Sequence, residues 1–317
     1  MKDRDELAYR AALMHYVQGD TMDAIARKLK TSRSTVSRLM ELARERGYIQ
    51  FKLNPPSGES DELRAEVARR FGVEVTVVPM PQRADWKRRL DAVAAIAGNE
   101  ITAAVRPDIV IGIAWGNTLS AIAEHLVPKP VTGVKVVQLN GAASTTSSGI
   151  MYAGAIMEAF GKAYRAEVQH FPVPAFFDYP ETKAALWRER SVKNVLELQN
   201  TVDIAIFGVG TMRGDRLSAV YSGGYLMPEE MLQVQARGVV GDVCTVLLRA
   251  DGTWQDLDIN RRASGPTPQD LAHIPQRICV VAGQEKAVPL LGALRAGVVT
   301  NLVVDEDCAA KLLKISS

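Results

Sequence analysis

From residue 60 to the end of the chain, short apolar runs rich in β-branched residues alternate with longer stretches of helical periodicity. This alternation restricts the fold more than any other feature. Helices are expected over 60–71, 86–105 and 117–126, and strands over 75–78, 109–113, 134–139, 204–209, 243–248, 278–282 and 302–304. The strand runs are continuously apolar, which marks strands buried on both faces, so the fold class is α/β with a mainly parallel sheet covered by helices. Ligands of such sheets sit beyond the carboxyl ends of the strands.

Residues 1–53 follow a different pattern. Leu7, Ala8, Ala11, Ala12, Met14 and Tyr16 share a helical face that Gly19 closes, and Thr21 is placed to cap a short helix carrying Ala24, Ile25, Ala26 and Leu29. After Lys30-Thr31-Ser32, a third helix turns Val36, Leu39, Met40 and Ala43 inward and Arg33, Ser34, Thr35, Ser37 and Arg38 outward. Residues 48–53 alternate like a strand. This is the layout of a helix-turn-helix, winged or winged-like, whose last helix enters a DNA groove. Thr21, Arg33, Ser34, Thr35, Ser37 and Arg38 are the candidate DNA contacts, because short hydroxyls reach phosphates and arginine pairs with guanine. Charge agrees: the segment holds eleven Lys/Arg against seven Asp/Glu, a net +4, while the whole chain is only +2. A small helical bundle with an incidentally basic surface is the plainer alternative.

Asn54-Pro55-Pro56-Ser57-Gly58-Glu59-Ser60 has linker chemistry. The domains expected are therefore 1–53, a linker over 54–60, and a larger unit over 61–317. A chain of 317 residues, 47% hydrophobic, forms a core without disulfides or structural metal. The three cysteines are far apart, the four histidines are scattered, and the charged first residues lack a signal peptide's apolar stretch. A cytoplasmic protein without membrane span, metal site or cofactor is expected.

The strand ends hold the candidate ligand chemistry. Gly112-Ile113-Ala114-Trp115-Gly116-Asn117-Thr118 runs from a strand into a helix, and the glycines and helix start suit an anion such as phosphate. No lysine follows as in a nucleotide P-loop. Gly208-x-Gly210-x-x-x-Gly214 is spaced one residue too widely for a dinucleotide fingerprint. Gly241-Asp242 precedes a predicted strand, and Gly283-Gln284-Glu285-Lys286 follows one, where a lysine can pair with phosphate as a point charge.

At these residues the sequence resembles the SorC family of bacterial sugar-responsive transcriptional regulators, related to the deoxyribonucleoside and central glycolytic gene regulators. The likeness continues through Val137-Gln138-Leu139-Asn140-Gly141, Ser222-Gly223-Gly224-Tyr225-Leu226, Arg262-Ala263-Ser264-Gly265 and Val281-Ala282-Gly283-Gln284-Glu285-Lys286. It implies an effector domain of the glucosamine-6-phosphate deaminase and sugar-phosphate isomerase type, and assembly as homodimer or homotetramer. It also implies a sugar, polyol or sugar phosphate held by Gly116, Asn117 and Thr118, with Lys286 near a phosphate, Asn140 and Gly141 lining the pocket, and Asp242 on a hydroxyl. One departure is Ala142-Ala143, where many relatives carry another glycine; it narrows the approach there.

The expected function is thus effector-controlled binding of operator DNA, with repression and activation both open. Two other readings remain. One is a sugar-phosphate isomerase or deaminase with an appended DNA-binding domain, for which the strand ends offer Asp242 and Lys286 but no histidine or second carboxylate in pattern. The other is a helical unit that serves only for assembly.

Overall fold

The structure is a computed structural model and describes residues 2–49, 59–81, 84–145, 147–214 and 217–316. The chain divides into two compact units, Met1–Pro56 and Ser57–Ser317.

In the small unit, α1 (Lys2–Ala12) runs on through a π-helical turn, Leu13–Val17, and the chain reverses at Gly19, whose φ of 72° favours glycine. Thr21 caps α2 (Met22–Lys28), accepting from the Ala24 N–H at 3.2 Å, and Ser32 caps α3 (Arg33–Glu45), accepting from the Thr35 N–H at 3.1 Å. The alanines of α1 allow close helix approach: Ala8 and Ala11 bury fully against Ile25, Val36, Leu39, Met40 and Ala43. Tyr16 departs from the inward face expected for it. It is 40% exposed, and its hydroxyl accepts from Arg44 at 3.1 Å. Of the strand expected over 48–53, Tyr48 and Ile49 are in no strand, and residues 50–53 lie outside the described residues, as does most of the 54–60 segment.

The large unit opens with α4 (Glu59–Phe71), which takes in the last two residues of the expected linker. Its strands are β1 (Glu74–Val78), β2 (Val110–Ile113), β3 (Lys135–Gln138), β4 (Glu167–Gln169), β5 (Ile204–Phe207), β6 (Gly210–Thr211), β7 (Val239–Val243), β8 (Val246–Arg249), β9 (Gln276–Val281) and β10 (Asn301–Asp305). Seven form a parallel sheet in the order β1-β10-β9-β5-β2-β3-β4. Its inner strands bury both faces. Ile111, Ile204, Ile206, Ile278 and Val303 point into one core, and Val137, Ala205, Phe207, Cys279 and Val304 into the other. From β2 the chain works outward through β3 and β4, then returns to β5 on the other side of β2. The crevice beyond the carboxyl ends of β2 and β5 is therefore a topological switch point. Helices α5 (Trp86–Ala104), α6 (Asn117–Glu124) and α7 (Ile150–Tyr164) pack on the sheet.

One expected element is wrong. Residues 243–248 are not a single strand; the chain turns at Cys244-Thr245, both with positive φ (49° and 71°), and β7 and β8 pair antiparallel. With β6 they form a second, three-stranded sheet. Gly241 and Asp242 therefore lie inside β7. A two-residue hairpin with positive φ at both positions ordinarily uses Asn-Gly or Asp-Gly. Here the Asp242 carboxylate accepts the Thr245 N–H at 3.1 Å and holds a turn that its own sequence does not favour.

Candidate functional site

At the switch point lies a cavity of about 270 Å³. Its floor begins where β2 ends. Ala114, Trp115 and Gly116 lead into α6, and Gly116 adopts φ 146° with open space where a side chain would sit. That conformation suits glycine and leaves the first-turn N–H groups of α6 without intrahelical partners. Trp115 is held rigidly: its indole N–H donates to the Gly141 carbonyl at 2.7 Å, and its ring stacks on Tyr225 at 5.1 Å. Tyr152 of α7 donates to Asn117 Oδ1 at 3.0 Å.

Opposite this loop stand the side chains from the other strands. Lys286 Nζ donates to Thr118 Oγ1 at 3.5 Å. Asn140 and Asp242, 2% and 5% exposed, reach the same space from just past the end of β3 and from β7. Among the described residues three buried side-chain atoms lack a hydrogen bond of good geometry: Asn140 Oδ1, Asp242 Oδ1 and the Tyr221 hydroxyl, the last standing beside the Asp242 carboxyl. A buried polar atom left unpaired costs about 1–3 kcal/mol, and two of the three, Asn140 Oδ1 and Asp242 Oδ1, belong to residues that line the cavity, which suits it to a polar ligand. Burial pushes the Asp242 carboxyl up to about 6, against the opposing pull of the Tyr221 hydroxyl, the Thr245 N–H and the Lys286 ammonium. Burial likewise lowers Lys286, with Glu285 the first of the groups that oppose it.

Of the seven candidate ligand contacts, Gly116, Asn117, Thr118, Asn140, Asp242 and Lys286 line this cavity. Gly141 does not. It packs behind the wall, where an added Cβ would lie 2.2 Å from the Val173 carbonyl oxygen, and its N–H donates to Ser264 Oγ at 2.9 Å. Ala142 and Ala143 are likewise away from the lining: Ala142 is buried in the core, and Ala143 bridges to Pro174. They narrow nothing. Gly112 lies within β2 and packs on Leu139, so the cradle begins only at Ala114. Sequence reasoning missed Trp86, Ser218 and Thr245 in the lining and Tyr221 beside Asp242. Only the nearby Ser222-Gly223-Gly224-Tyr225 motif hinted at the last.

In the small unit, Arg33, Ser34, Thr35, Ser37 and Arg38 all lie on the exposed face of α3. Ser34 and Thr35 hydroxyls bond Ser32 Oγ at 2.8 Å, Arg33 approaches Asp23 at 3.9 Å, and Thr21 is occupied as a cap. Among the described residues no group of three or more His, Cys, Asp or Glu could hold a metal, and no helix is long and apolar enough to cross a membrane.

A doubly covered parallel sheet with a polar cleft at its switch point, joined to a small three-helix unit, defines a two-unit ligand-binding protein of the α/β class. The profile described as "Putative sugar-binding domain" matches residues 55–314, and the chain belongs to this family, that of the SorC-type sugar-binding transcriptional regulators. It is 31% identical over 317 residues to the deoxyribonucleoside regulator of Bacillus subtilis (strain 168), covering 98% of each chain. It is 29% identical over 315 residues to the transcriptional regulator LsrR of Enterobacter sp. (strain 638), covering 98% of this chain and 94% of that one. Among solved structures, a domain of a possible sugar-binding transcriptional regulator from Arthrobacter aurescens TC1 superposes with a TM-score of 0.76 at 44% identity, covering 82% of this chain and all of that one. The full-length sorbitol operon regulator SorC of Klebsiella pneumoniae shares the fold, with a TM-score of 0.72 at 24% identity over 98% of this chain and 99% of the other.

Proposed function

We propose that this regulator binds a sugar, polyol or sugar phosphate in the switch-point cavity and that occupancy controls how its small unit binds operator DNA. The observation that carries the ligand class is the pair of unpartnered buried acceptors on lining residues, Asn140 Oδ1 and Asp242 Oδ1. Two acceptors lining one cavity with an ammonium group match a chain of adjacent hydroxyls with Lys286 on a phosphate or other electron-rich oxygen. The names of the relatives support the same class. A thermal-shift screen of sugars, polyols and their phosphates tests it. A cognate ligand at a hundred times its Kd adds about 2.7 kcal/mol to the stability of the form it binds, whereas a complete panel without a shift contradicts the assignment.

The DNA reader is α2 and α3, read as a helix-turn-helix in which residues 29–32 make the turn and α3 enters the major groove. Two copies of the chain, as a homodimer or within a homotetramer, present two such helices to a roughly palindromic site. Arg38→Ala is expected to weaken binding to a duplex from upstream of the coding sequence by about 1–3 kcal/mol. The melting temperature stays unchanged, because Arg38 is exposed. Unaltered affinity together with an unaltered salt dependence counts against this face as the reader.

The large unit binds without turnover in this reading. Asp242 and Lys286 carry the perturbed proton affinities of an acid–base pair, but burial is the first cause in both, as in any closed polar cavity. Conversion of any candidate sugar phosphate by the purified protein would favour the enzyme reading instead.

A further inference from the structure

The 283–286 turn, which carries Glu285 and Lys286 into the cavity, is fastened at its start. Gly283 has φ 102°, and a Cβ there would lie 2.3 Å from Glu285 Oε1, so the turn folds back tightly on itself. The Gly283 N–H donates to Asp305 Oδ2 at 2.5 Å. Asp305 is fully buried at the end of β10. Its other oxygen accepts from Arg89 Nη1 at 2.7 Å and from the Cys308 N–H at 3.2 Å, capping the last helix, Glu306–Ile315. Arg89 belongs to α5, whose first residue, Trp86, lines the cavity, and it also pairs with Asp307 at 2.7 Å. One carboxylate thus joins the ligand-facing turn to a helix start.

The next residue continues the chain of bonds. Glu306 Oε1 accepts from Ser60 Oγ at 3.1 Å, and Oε2 accepts from the Met80 N–H at 3.4 Å. Ser60 is in the first turn of α4, the helix that directly follows residues 50–58, the segment leading from the small unit. None of Asp305, Glu306 and Ser60 lines the cavity.

Resting on the regulator reading above, we propose that Asp305 and Glu306 relay the state of the 283–286 turn to Ser60, so that α4 is where occupancy of the cavity is handed toward the DNA-reading unit. The physical reason is that a fully buried carboxylate cannot lightly leave a hydrogen bond unmade. When ligand contacts to Lys286 shift the turn, Asp305 follows the Gly283 N–H. Glu306, one residue on, then moves against Ser60. Arg89 is the positioning residue that keeps Asp305 aimed through this motion.

The test uses the full chain with Lys286→Met and Ser60→Ala, alone and together, followed by amide hydrogen exchange. Lys286→Met is expected to change exchange over residues 60–66 by about threefold or more where Ser60 is present, and not in the Ser60→Ala background. Glu306→Gln, which keeps the shape but weakens the acceptor, blocks the response in the same way. Equal responses with and without Ser60, or no response in either, overturn the relay. Affinity of the same proteins for the upstream duplex separates the two claims. A blocked exchange response with no preference for that duplex over random DNA overturns the regulator reading alone, and duplex preference with an unblocked response overturns the relay alone.

Discussion

Asp242→Asn is expected to stabilise the ligand-free protein at pH 7.5 and to remove most of its affinity for ligand. Asp242 is 5% exposed and burial raises its carboxyl from the usual 3.8 to about 6. In the unfolded chain the group ionises near its ordinary value. Between about pH 4 and 6 the folded state therefore holds a proton that the unfolded state has lost, and stability contributed by the neutral carboxyl falls as pH rises through that window. Above it the full cost of a buried, half-satisfied carboxylate is present, about 3 kcal/mol for a shift of this size. Asparagine does not ionise and can donate toward Tyr221, while Lys286 keeps Glu285 beside it. Urea denaturation at pH 4 and pH 7.5 measures the effect: the variant's advantage is small at the lower pH and reaches a few kcal/mol at the higher. Ligand affinity falls about thirtyfold, the range for losing a hydrogen bond to a charged group. A variant less stable than the parent at pH 7.5 contradicts the account of this residue. Such a gain at the expense of binding is the mark of a functional residue held against the preference of the fold.

Gly141→Ala is expected to unsettle the fold and spare the ligand site. An added Cβ would lie 2.2 Å from the Val173 carbonyl oxygen and 2.4 Å from that of Pro174, both backbone atoms that cannot swing aside. The backbone at 141 also anchors the Trp115 indole. Overpacking of this kind costs about 1–3 kcal/mol, and in a unit of this size each kcal/mol lowers Tm by about 2–4 °C. The fraction that stays folded keeps its ligand affinity. The opposite outcome, an unchanged Tm with weakened binding, would return Gly141 to the cavity wall.

These two residues mark what local sequence does and does not reveal. The parallel sheet was legible because each inner strand buries both faces, which forces a run such as Ile204-Ala205-Ile206-Phe207. The Gly116 loop was legible because a glycine between strand and helix has few other uses. Gly141 follows a strand among small polar residues just as a ligand loop does. Only the 173–174 segment, distant in sequence, makes it a packing residue. The β7–β8 hairpin was hidden for a related reason. Cys244-Thr245 carries no turn chemistry of its own, and the carboxylate that supplies it belongs to a residue that sequence alone marks only as a ligand candidate. Tyr221 stands on a four-residue helix, Ala219–Ser222, whose position beside Asp242 no periodicity encodes.

The central claim is that the cavity and the DNA-reading face share one free energy. The direct measurement is anisotropy of a labelled duplex from upstream of the coding sequence, titrated with the full chain, with and without a compound that raises its melting temperature. The prediction is a shift in duplex affinity of about 5–150-fold, matched by an equal shift in ligand affinity when the duplex is present. A ligand that binds and stabilises the protein while leaving duplex affinity unmoved would contradict it.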